Sequence, residues 1–356
     1  MTAAAAQARS QGRGRGSAAR IGRTAPGLLA LAALLLLGAC ATRYQPMGPP
    51  IAAAHWAEDG EAVIAADGYR LPVRHWEAEG EPQAVLLGVH GFNDYSNAFE
   101  EPAETWAGDG IVTYAYDQRG FGATEQPGIW PDTETMVDDL RTVAGLLRAR
   151  YPDLPLVVLG ESMGGSVVLV AAASDDPPPA NRYVLVAPGV LDRDALSDPV
   201  LAMLWLAENG LGGITSRGEG VVGRPTDDRQ TQLELWRDPL VIKDTRADAL
   251  AGLTRLIDAA YDAVERLRSP ALVMFGAHEN VVPVPGQRRV VESVPAATTR
   301  LAVYSNGYHL LLRDVLRGMP TRDVASFVLN PEAPLPSGAG VADAAEALVR
   351  MGLEES

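Results

Sequence analysis

The stretch VVLGESMGGSVVLVAAA, residues 157–173, decides the fold of this chain. Its first part is a short β-branched apolar run and its last part is rich in Ala and Val. Between them, Gly160 and Gly164 flank Ser162 in the pattern G-x-S-x-G, which is typical of a sharp turn from a strand into a helix. A side chain at either glycine would clash in such a turn, and the turn lifts the serine hydroxyl above the sheet. We therefore interpret Ser162 as a candidate nucleophile.

Short apolar runs rich in Val and Leu recur along the chain and predict the other strands. They occupy residues 84–91, 111–117, 156–160, 183–188, 271–276 and 300–304. Continuous rather than alternating hydrophobicity indicates burial on both faces, as in a parallel sheet. Helices are predicted at 132–152, near 319–329 and near 341–352, and a hairpin around Asp67-Gly68. The alternation predicts an α/β fold, with a mostly parallel central sheet and helices on both faces.

One interval of about eighty residues, between Pro188 and Ser269, has no strong strand signal. An insertion of this length is too long for a bare loop, so we predict a helical cap at about 190–268. Such a cap would lie over the carboxyl edge of the sheet, where ligands bind in open α/β folds. The alternative is one crossover helix with a surface insertion. The main domain is predicted to span 61–330, and a Pro/Gly-rich break with a final helix to occupy 331–356.

The first forty residues differ in character from the rest of the chain. They contain five arginines and no acidic residue, followed by a short apolar run. This pattern predicts a secretory signal peptide over residues 1–39. The sequence LGAC at 37–40 resembles the lipobox of bacterial lipoproteins, which implies lipidation of Cys40, the one cysteine of the chain. An ordinary signal peptide or an N-terminal anchor helix are the alternatives.

Residues 40–60 are then predicted to be the lipidated cysteine and a Pro- and Ala-rich tether. Ala41 stands where an Asp would signal retention in the inner membrane. The resemblance to lipoproteins therefore implies a chain anchored in the outer membrane and facing the periplasm, in an organism that has one.

Charge and composition exclude other classes of function. The chain has 45 acidic and 30 basic residues, which argues against a nucleic-acid partner. No two of its five histidines stand at the spacing of metal ligands, so we expect no metal and no cofactor.

A nucleophilic serine needs a base and an acid that orients the base. In this fold class the chain order is serine, acid, histidine, so His309 in YSNGYHLLLRD is the candidate base. Glu279 is the one carboxylate in the loop after the strand at 271–276 and is the candidate acid. Asp192 and Asp194, after the strand at 183–188, remain the alternative.

An oxyanion formed during acyl transfer needs hydrogen-bond donors. In this fold class they are the backbone N–H groups of the residue after the nucleophile and of the loop after an early strand, here Met163 and Phe92. His90, beside Phe92, is interpreted as a residue that structures the loop. Asp117 and Arg119 in YDQRGFG are interpreted as a structural pair.

Five motifs in this order, HGFNDYS, YDQRGFG, GESMGG, FGAHENVVP and NGYHLLLRD, resemble the α/β-hydrolase superfamily. They look most like the serine hydrolases grouped with monoacylglycerol lipases and lysophospholipases. The resemblance implies Ser162 as nucleophile, His309 as base and the Phe92 and Met163 amides as oxyanion hole. It departs at Glu279, where the family pattern has Asp.

The resulting hypothesis is a membrane-anchored serine ester hydrolase that acts through an acyl-enzyme. The resemblance implies a lysophospholipid or a monoacylglycerol as substrate. Two alternatives stay open: another serine-dependent enzyme of the superfamily, such as a peptidase or a C–C bond hydrolase, and a non-catalytic binding lipoprotein, which the departure at Glu279 motivates.

Overall fold

A ten-stranded sheet forms the centre of the computed structural model, which describes residues 41–217 and 223–354. The predicted signal peptide and Cys40 lie outside the described residues. In chain order the strands of the described residues are β1 (His55–Trp56), β2 (Ala62–Ile64), β3 (Arg70–Trp76), β4 (Ala84–Val89), β5 (Ile111–Tyr116), β6 (Leu156–Glu161), β7 (Arg182–Val186), β8 (Thr215–Arg217), β9 (Asp244–Arg246), β10 (Ala271–Gly276), β11 (Thr299–Tyr304) and β12 (Gly340–Val341). Strands β8 and β9 form a separate two-stranded sheet, and the other ten form the central sheet.

The middle of the sheet is parallel and its edges are antiparallel. The strand order is β1-β2-β3-β5-β4-β6-β7-β10-β11-β12, and the six strands from β5 to β11 in this order pair in parallel. The antiparallel strands β1, β2 and β3 form one side of the sheet, with β1 at its edge, and β12 forms the other edge. Because β6 lies in the middle, its carboxyl end opens at the centre of the sheet edge.

Helices cover both faces of the sheet. They are α1 (Glu100–Gly108), α2 (Thr133–Arg150), α3 (Met163–Ala172), α4 (Asp198–Leu206), α5 (Arg229–Arg237), α6 (Ala247–Ala263), α7 (Val284–Ser293), α8 (Gly318–Leu329) and α9 (Ala344–Met351). Helices α2, α3, α6, α7 and α9 contribute to one apolar layer, and α1 and α8 contribute to the other. None of the helices in the described part of the chain combines the length and the apolar character that crossing a bilayer requires.

The central strands explain why their hydrophobicity is continuous. Along β4, Val85, Leu87 and Val89 pack in the first apolar layer, while Ala84 and Leu86 pack in the second. All five side chains are inaccessible to solvent. Successive side chains of a strand point to opposite faces, so a strand with helices on both sides needs apolar residues at every position. The predicted α/β fold with a mostly parallel sheet is confirmed.

The insertion between β7 and β10 contains α4, α5, the antiparallel pair β8–β9 and α6. Its last helix, α6, is not part of the cover: Leu256 and Ala260 are fully buried in the main core, and α6 packs against α3. The predicted cap range of 190–268 therefore ends in an ordinary crossover helix. The cover itself, called the cap below, comprises residues 190–217 and 223–246 of the described chain.

The segment predicted as a tether does not hang free in its described part. Residues 55–56 form β1 and pair with β2. Gln45 donates its backbone N–H to the carbonyl of Trp130 at 2.9 Å, and Thr42 donates its hydroxyl to the carbonyl of Ala207 at 2.5 Å. Hydrogen bonds from the backbone and from the Thr42 side chain therefore hold residues 42–56 against the domain.

Arg119 fixes three separate segments at the edge of the sheet. Its guanidinium lies 2.7 Å from Asp67 in the hairpin turn and 3.0 Å from Asp139 in α2, and all three side chains are nearly inaccessible to solvent. Asp117 accepts the backbone N–H groups of Ser96 and Ala123. These contacts agree with the structural interpretation of Asp117 and Arg119.

We expect Arg119→Met to reduce the free energy of unfolding by about 3–5 kcal/mol, because it leaves two buried carboxylates without their cation. The measurement is urea unfolding followed by circular dichroism. Arg70→Met is the control, because its ion pair with Asp59 is solvent-exposed and such pairs contribute little. Equal losses in the two variants would contradict the role given to Arg119.

Candidate active site

Ser162 occupies a strained turn between β6 and α3. Its φ and ψ are +55° and −117°, a backbone conformation that residues other than glycine rarely adopt. A Cβ atom on Gly160 would lie 2.4 Å from the Gly164 carbonyl oxygen, and one on Gly164 would lie 1.9 Å from the Val89 carbonyl oxygen. The turn can therefore form only with glycine at both flanks, as the pattern indicated.

His309 lies beside this turn. It follows β11, is almost completely buried, and places its Nε2 atom 2.8 Å from Ser162 Oγ. Its Nδ1 atom lies 2.7 Å from Glu279 Oε2. The structure thus brings the three predicted side chains into one hydrogen-bonded chain, although 147 residues separate Ser162 from His309.

Glu279 is held by its own loop. Its Oε1 atom accepts the backbone N–H groups of Val281 at 2.7 Å and Val282 at 3.0 Å, which leaves Oε2 for His309. Burial raises the pKa of this carboxyl, but the charge and hydrogen bond of His309, together with the two N–H groups, hold the pKa below its ordinary value. Glu279 is therefore ionised at neutral pH.

The charge on Glu279 sets the state of His309. Burial lowers the pKa of the imidazole, but the adjacent carboxylate outweighs burial, so the pKa of His309 lies above its ordinary value. An ionised Glu279 assigns the proton of the neutral ring to Nδ1, because a carboxylate can only accept. Nε2 is then free to take a proton from Ser162, and the resulting imidazolium is stabilised.

The alternative acids lie elsewhere. Asp192 accepts the backbone N–H of Asp194 at 3.0 Å and caps a short 3₁₀ helix at the start of the cap. Neither carboxylate is bonded to His309. In residues 41–217 and 223–354, no three His, Cys, Asp or Glu side chains are grouped so that they could hold a metal ion.

The two candidate oxyanion donors flank Ser162. Met163 is the first residue of α3, so its N–H lies at the positive end of the helix. Phe92 belongs to the loop after β4. This loop passes close to the serine, because a Cβ atom added to the neighbouring Gly91 would lie 3.4 Å from Ser162 Cβ. Among the described residues, neither N–H has a protein acceptor. Both N–H groups therefore remain the candidate donors to an oxyanion beside the serine.

His90 braces the loop that carries Phe92. Its Nδ1 atom lies 2.8 Å from the Gly91 carbonyl oxygen, and its Nε2 atom accepts the backbone N–H of Gln118 at 3.0 Å. Burial lowers the pKa of this ring, so it stays neutral. Both ring nitrogens are used inside the protein, which agrees with the structural role interpreted for His90.

Sequence reasoning missed a buried ion cluster behind the site. Arg313 lies 2.7 Å from Asp94 and 2.8 Å from Glu161. Asp94 follows the oxyanion loop, Glu161 precedes Ser162, and Arg313 follows His309, so one guanidinium ties the three loops together. The signal was present as charged residues inside the motifs HGFND, GESMGG and NGYHLLLRD, whose other positions are mostly apolar or glycine.

Comparison with known proteins finds a matching family and similar lipases. A family model described as serine aminopeptidase, S33, matches residues 80–315. The chain is 27% identical over 275 residues to a monoacylglycerol lipase of Mycolicibacterium smegmatis, covering 74% of this chain and 94% of that protein. It is 27% identical over 267 residues to a human monoglyceride lipase, covering 72% and 86%.

Solved structures share the fold. A monoacylglycerol lipase of Paleococcus ferrophilus superposes with a TM-score of 0.61 at 18% identity, covering 73% of this chain and 98% of that one. A soluble variant of the monoglyceride lipase of Saccharomyces cerevisiae gives 0.63 at 17% identity, covering 81% and 97%. This shared fold agrees with the resemblance to the α/β-hydrolase superfamily that the five motifs indicated. The family model and the two lipase relatives confirm that resemblance.

We expect Glu279→Gln to lower kcat by about 10³–10⁴-fold, because an amide neither fixes the Nδ1–H tautomer nor stabilises the imidazolium. Catalysis requires neutral His309, so activity is lost as pH falls through the pKa of this ring. Because Glu279 raises that pKa, its loss should move the acid limb of kcat/KM to lower pH. The measurement is a pH–rate profile, with Asp192→Asn as control. If the acid limb of the profile does not move and kcat stays near normal, Glu279 is not the residue that orients His309 and stabilises its imidazolium.

Proposed function

The chain belongs to the serine aminopeptidase S33 family, and from this membership and its site geometry we propose that it is a serine hydrolase of acyl esters. The observation that carries the proposal is the hydrogen-bonded chain from Ser162 Oγ through His309 to Glu279. The strained backbone at Ser162 adds support, because strain of this kind persists where the surrounding structure enforces it and is frequent at active sites.

In the proposed reaction, His309 Nε2 takes the proton of Ser162 as Oγ attacks the ester carbonyl. The N–H groups of Phe92 and Met163 stabilise the oxyanion of the tetrahedral intermediate. The intermediate collapses as His309 returns the proton to the leaving alcohol, which yields an acyl-enzyme. Water then attacks the acyl group with His309 as base again, releasing the carboxylic acid and restoring Ser162.

Monoacylglycerol or lysophospholipid is the proposed substrate class. The support is similarity: the relatives above are named monoacylglycerol or monoglyceride lipases and are matched over most of their length. The name of the matching family favours a second candidate, a peptidase that releases N-terminal residues. Both reactions pass through an acyl-serine, so the substrate and not the triad separates them.

We expect a fluorophosphonate probe to label the full-length protein, and Ser162→Ala to abolish labelling and lower ester hydrolysis by about 10⁵–10⁶-fold. Ser166→Ala is the matched control, because Ser166 lies one turn along α3 and donates its hydroxyl to the Gly189 carbonyl, not to His309.

A panel of p-nitrophenyl acyl esters of increasing chain length and a panel of aminoacyl p-nitroanilides would identify the substrate class. If the enzyme hydrolyses only the anilides, the result would favour a peptidase. If the probe does not label the wild type, the result would favour a non-catalytic binding lipoprotein.

We further propose that Cys40 is acylated and anchors the chain in a membrane, the outer membrane facing the periplasm. The support is the sequence LGAC at 37–40 after a basic and apolar leader, with Ala41 next.

We expect cells that express the full-length chain to incorporate an alkyne-tagged fatty acid into it, and Cys40→Ala to abolish this incorporation. Cys40 is the only cysteine, so no other thiol can accept the label. Density-gradient fractionation should place the wild type with the outer membrane. Label retained in Cys40→Ala, or wild type found in the soluble fraction, would contradict the anchor.

A further inference from the structure

The turn that carries Phe92 contains a strained residue. The backbone N–H of Asp94 donates to the Gly91 carbonyl oxygen, so Phe92 and Asn93 are the two central residues of a four-residue turn. Asn93 has a φ of +63° and is one of three residues other than glycine with a positive φ in the described chain. A turn with a positive φ at its third residue favours Gly or Asn at that position. The hydrogen bond that closes the turn is long, at 3.4 Å, so it stabilises this conformation only weakly.

Two shorter hydrogen bonds reach Asn93 from the cap. Its carbonyl oxygen accepts the backbone N–H of Ile242 at 2.9 Å, and its Nδ2 atom donates to Thr245 Oγ1 at 2.7 Å. Thr245 is buried and lies in β9. In the part of the chain that the structure describes, Asn93 has no other hydrogen-bond partner. The cap therefore holds the strained residue by both its backbone and its side chain.

The residues on either side of Asn93 are held by the main domain instead. Asp94 is paired with Arg313 at 2.7 Å. The Phe92 ring packs against the ring of Phe121, with ring centroids 5.8 Å apart. These contacts fix the end of the turn and the direction of the Phe92 side chain. The backbone conformation between them is left to the two hydrogen bonds from the cap.

We propose that Asn93 is a positioning residue for the oxyanion hole, and that its bond to Thr245 sets the direction of the Phe92 N–H. This role rests on the proposed function, in which that N–H stabilises the tetrahedral intermediate. Phe92 and Asn93 are adjacent, so a rotation that relaxes the positive φ also tilts the peptide groups of the turn. Oxyanion donors act over a narrow range of distance and direction, and a displacement of about 1 Å can lower a rate by about 10²-fold.

Asparagine suits both demands at position 93. Glycine would adopt the positive φ without strain, but it has no side chain that could reach the cap. Asparagine tolerates this conformation and adds a hydrogen-bond donor. The cap then contributes to the chemical step as well as to substrate binding. A cover that only held the substrate would act on KM, whereas a cap that orients an oxyanion donor acts on kcat.

The first test follows kcat and KM for p-nitrophenyl butyrate with the full-length protein. We expect Asn93→Gly, which keeps the turn but removes the side chain, and Thr245→Val each to lower kcat about tenfold with KM unchanged. The double variant should lose no more than either single variant, because both remove the same hydrogen bond. Thr245→Ser keeps the hydroxyl and should recover most of the lost kcat. Thr215→Val is the matched control and should leave kcat unchanged, because Thr215 is exposed on β8 of the same two-stranded sheet.

The second test separates the direction of the donor from a general loss of packing. Ser162 Oγ adds to the carbonyl carbon of an alkyl trifluoromethyl ketone, its proton passes to His309 Nε2, and the hemiketal oxyanion occupies the oxyanion hole. We expect the inhibition constant of this ketone to rise in Asn93→Gly and in Thr245→Val by the same factor as kcat falls. If thermal unfolding shows that Asn93→Gly has lost its fold, the comparison of Thr245→Ser with Thr245→Val still decides.

Three results would overturn the positioning role of Asn93. They are a rise in KM with kcat unchanged, equal losses in Thr245→Ser and Thr245→Val, and losses that add in the double variant. An active wild type with unaffected variants would also overturn it, and would leave the proposed function standing. A wild type that neither hydrolyses the ester nor binds the ketone would contradict the proposed function, and the positioning role would fall with it.

Discussion

The structure depends on the close approach of backbone to backbone at the turn that carries Ser162. The carbonyl of Val89, at the end of β4, lies where a Cβ atom of Gly164 would be, and the carbonyl of Gly164 lies where one of Gly160 would be. This approach pins the first turn of α3 to the neighbouring strand. The approach forces Ser162 into a positive φ, which is an unfavourable backbone conformation. The packing of the buried central sheet maintains this conformation. Every other part of the site is positioned relative to this turn.

Four loops from distant parts of the chain meet at the turn, and buried polar contacts hold them in register. His90 links the oxyanion loop to Gln118, and Arg313 links it to Glu161 and to the histidine loop. A buried guanidinium with two carboxylate partners favours one arrangement strongly, because moving any partner would leave a charge unpaired in a medium of low dielectric. Preorganisation of the site thus comes from charged groups that do not contact the reacting atoms.

The sequence was sufficient for the sheet and for the candidate triad, because both leave local signals. Doubly buried strands need apolar residues throughout, and the turn at Ser162 needs its glycines. The sequence did not decide whether the acid of the triad is Glu279 or one of Asp192 and Asp194, because the choice depends on which loop reaches His309. It did not predict the cluster at Arg313, the return of α6 to the core or the docking of residues 42–56, because each rests on contacts between residues far apart in the chain.

The contact of Thr42 with Ala207 also has a meaning for the order in which the chain folds. It joins residues 165 positions apart and closes a loop that contains most of the parallel sheet. The entropic cost of closing a long loop is recovered only after the intervening segments have folded. The contact of Thr42 with Ala207 therefore becomes favourable only once the intervening part of the sheet has folded.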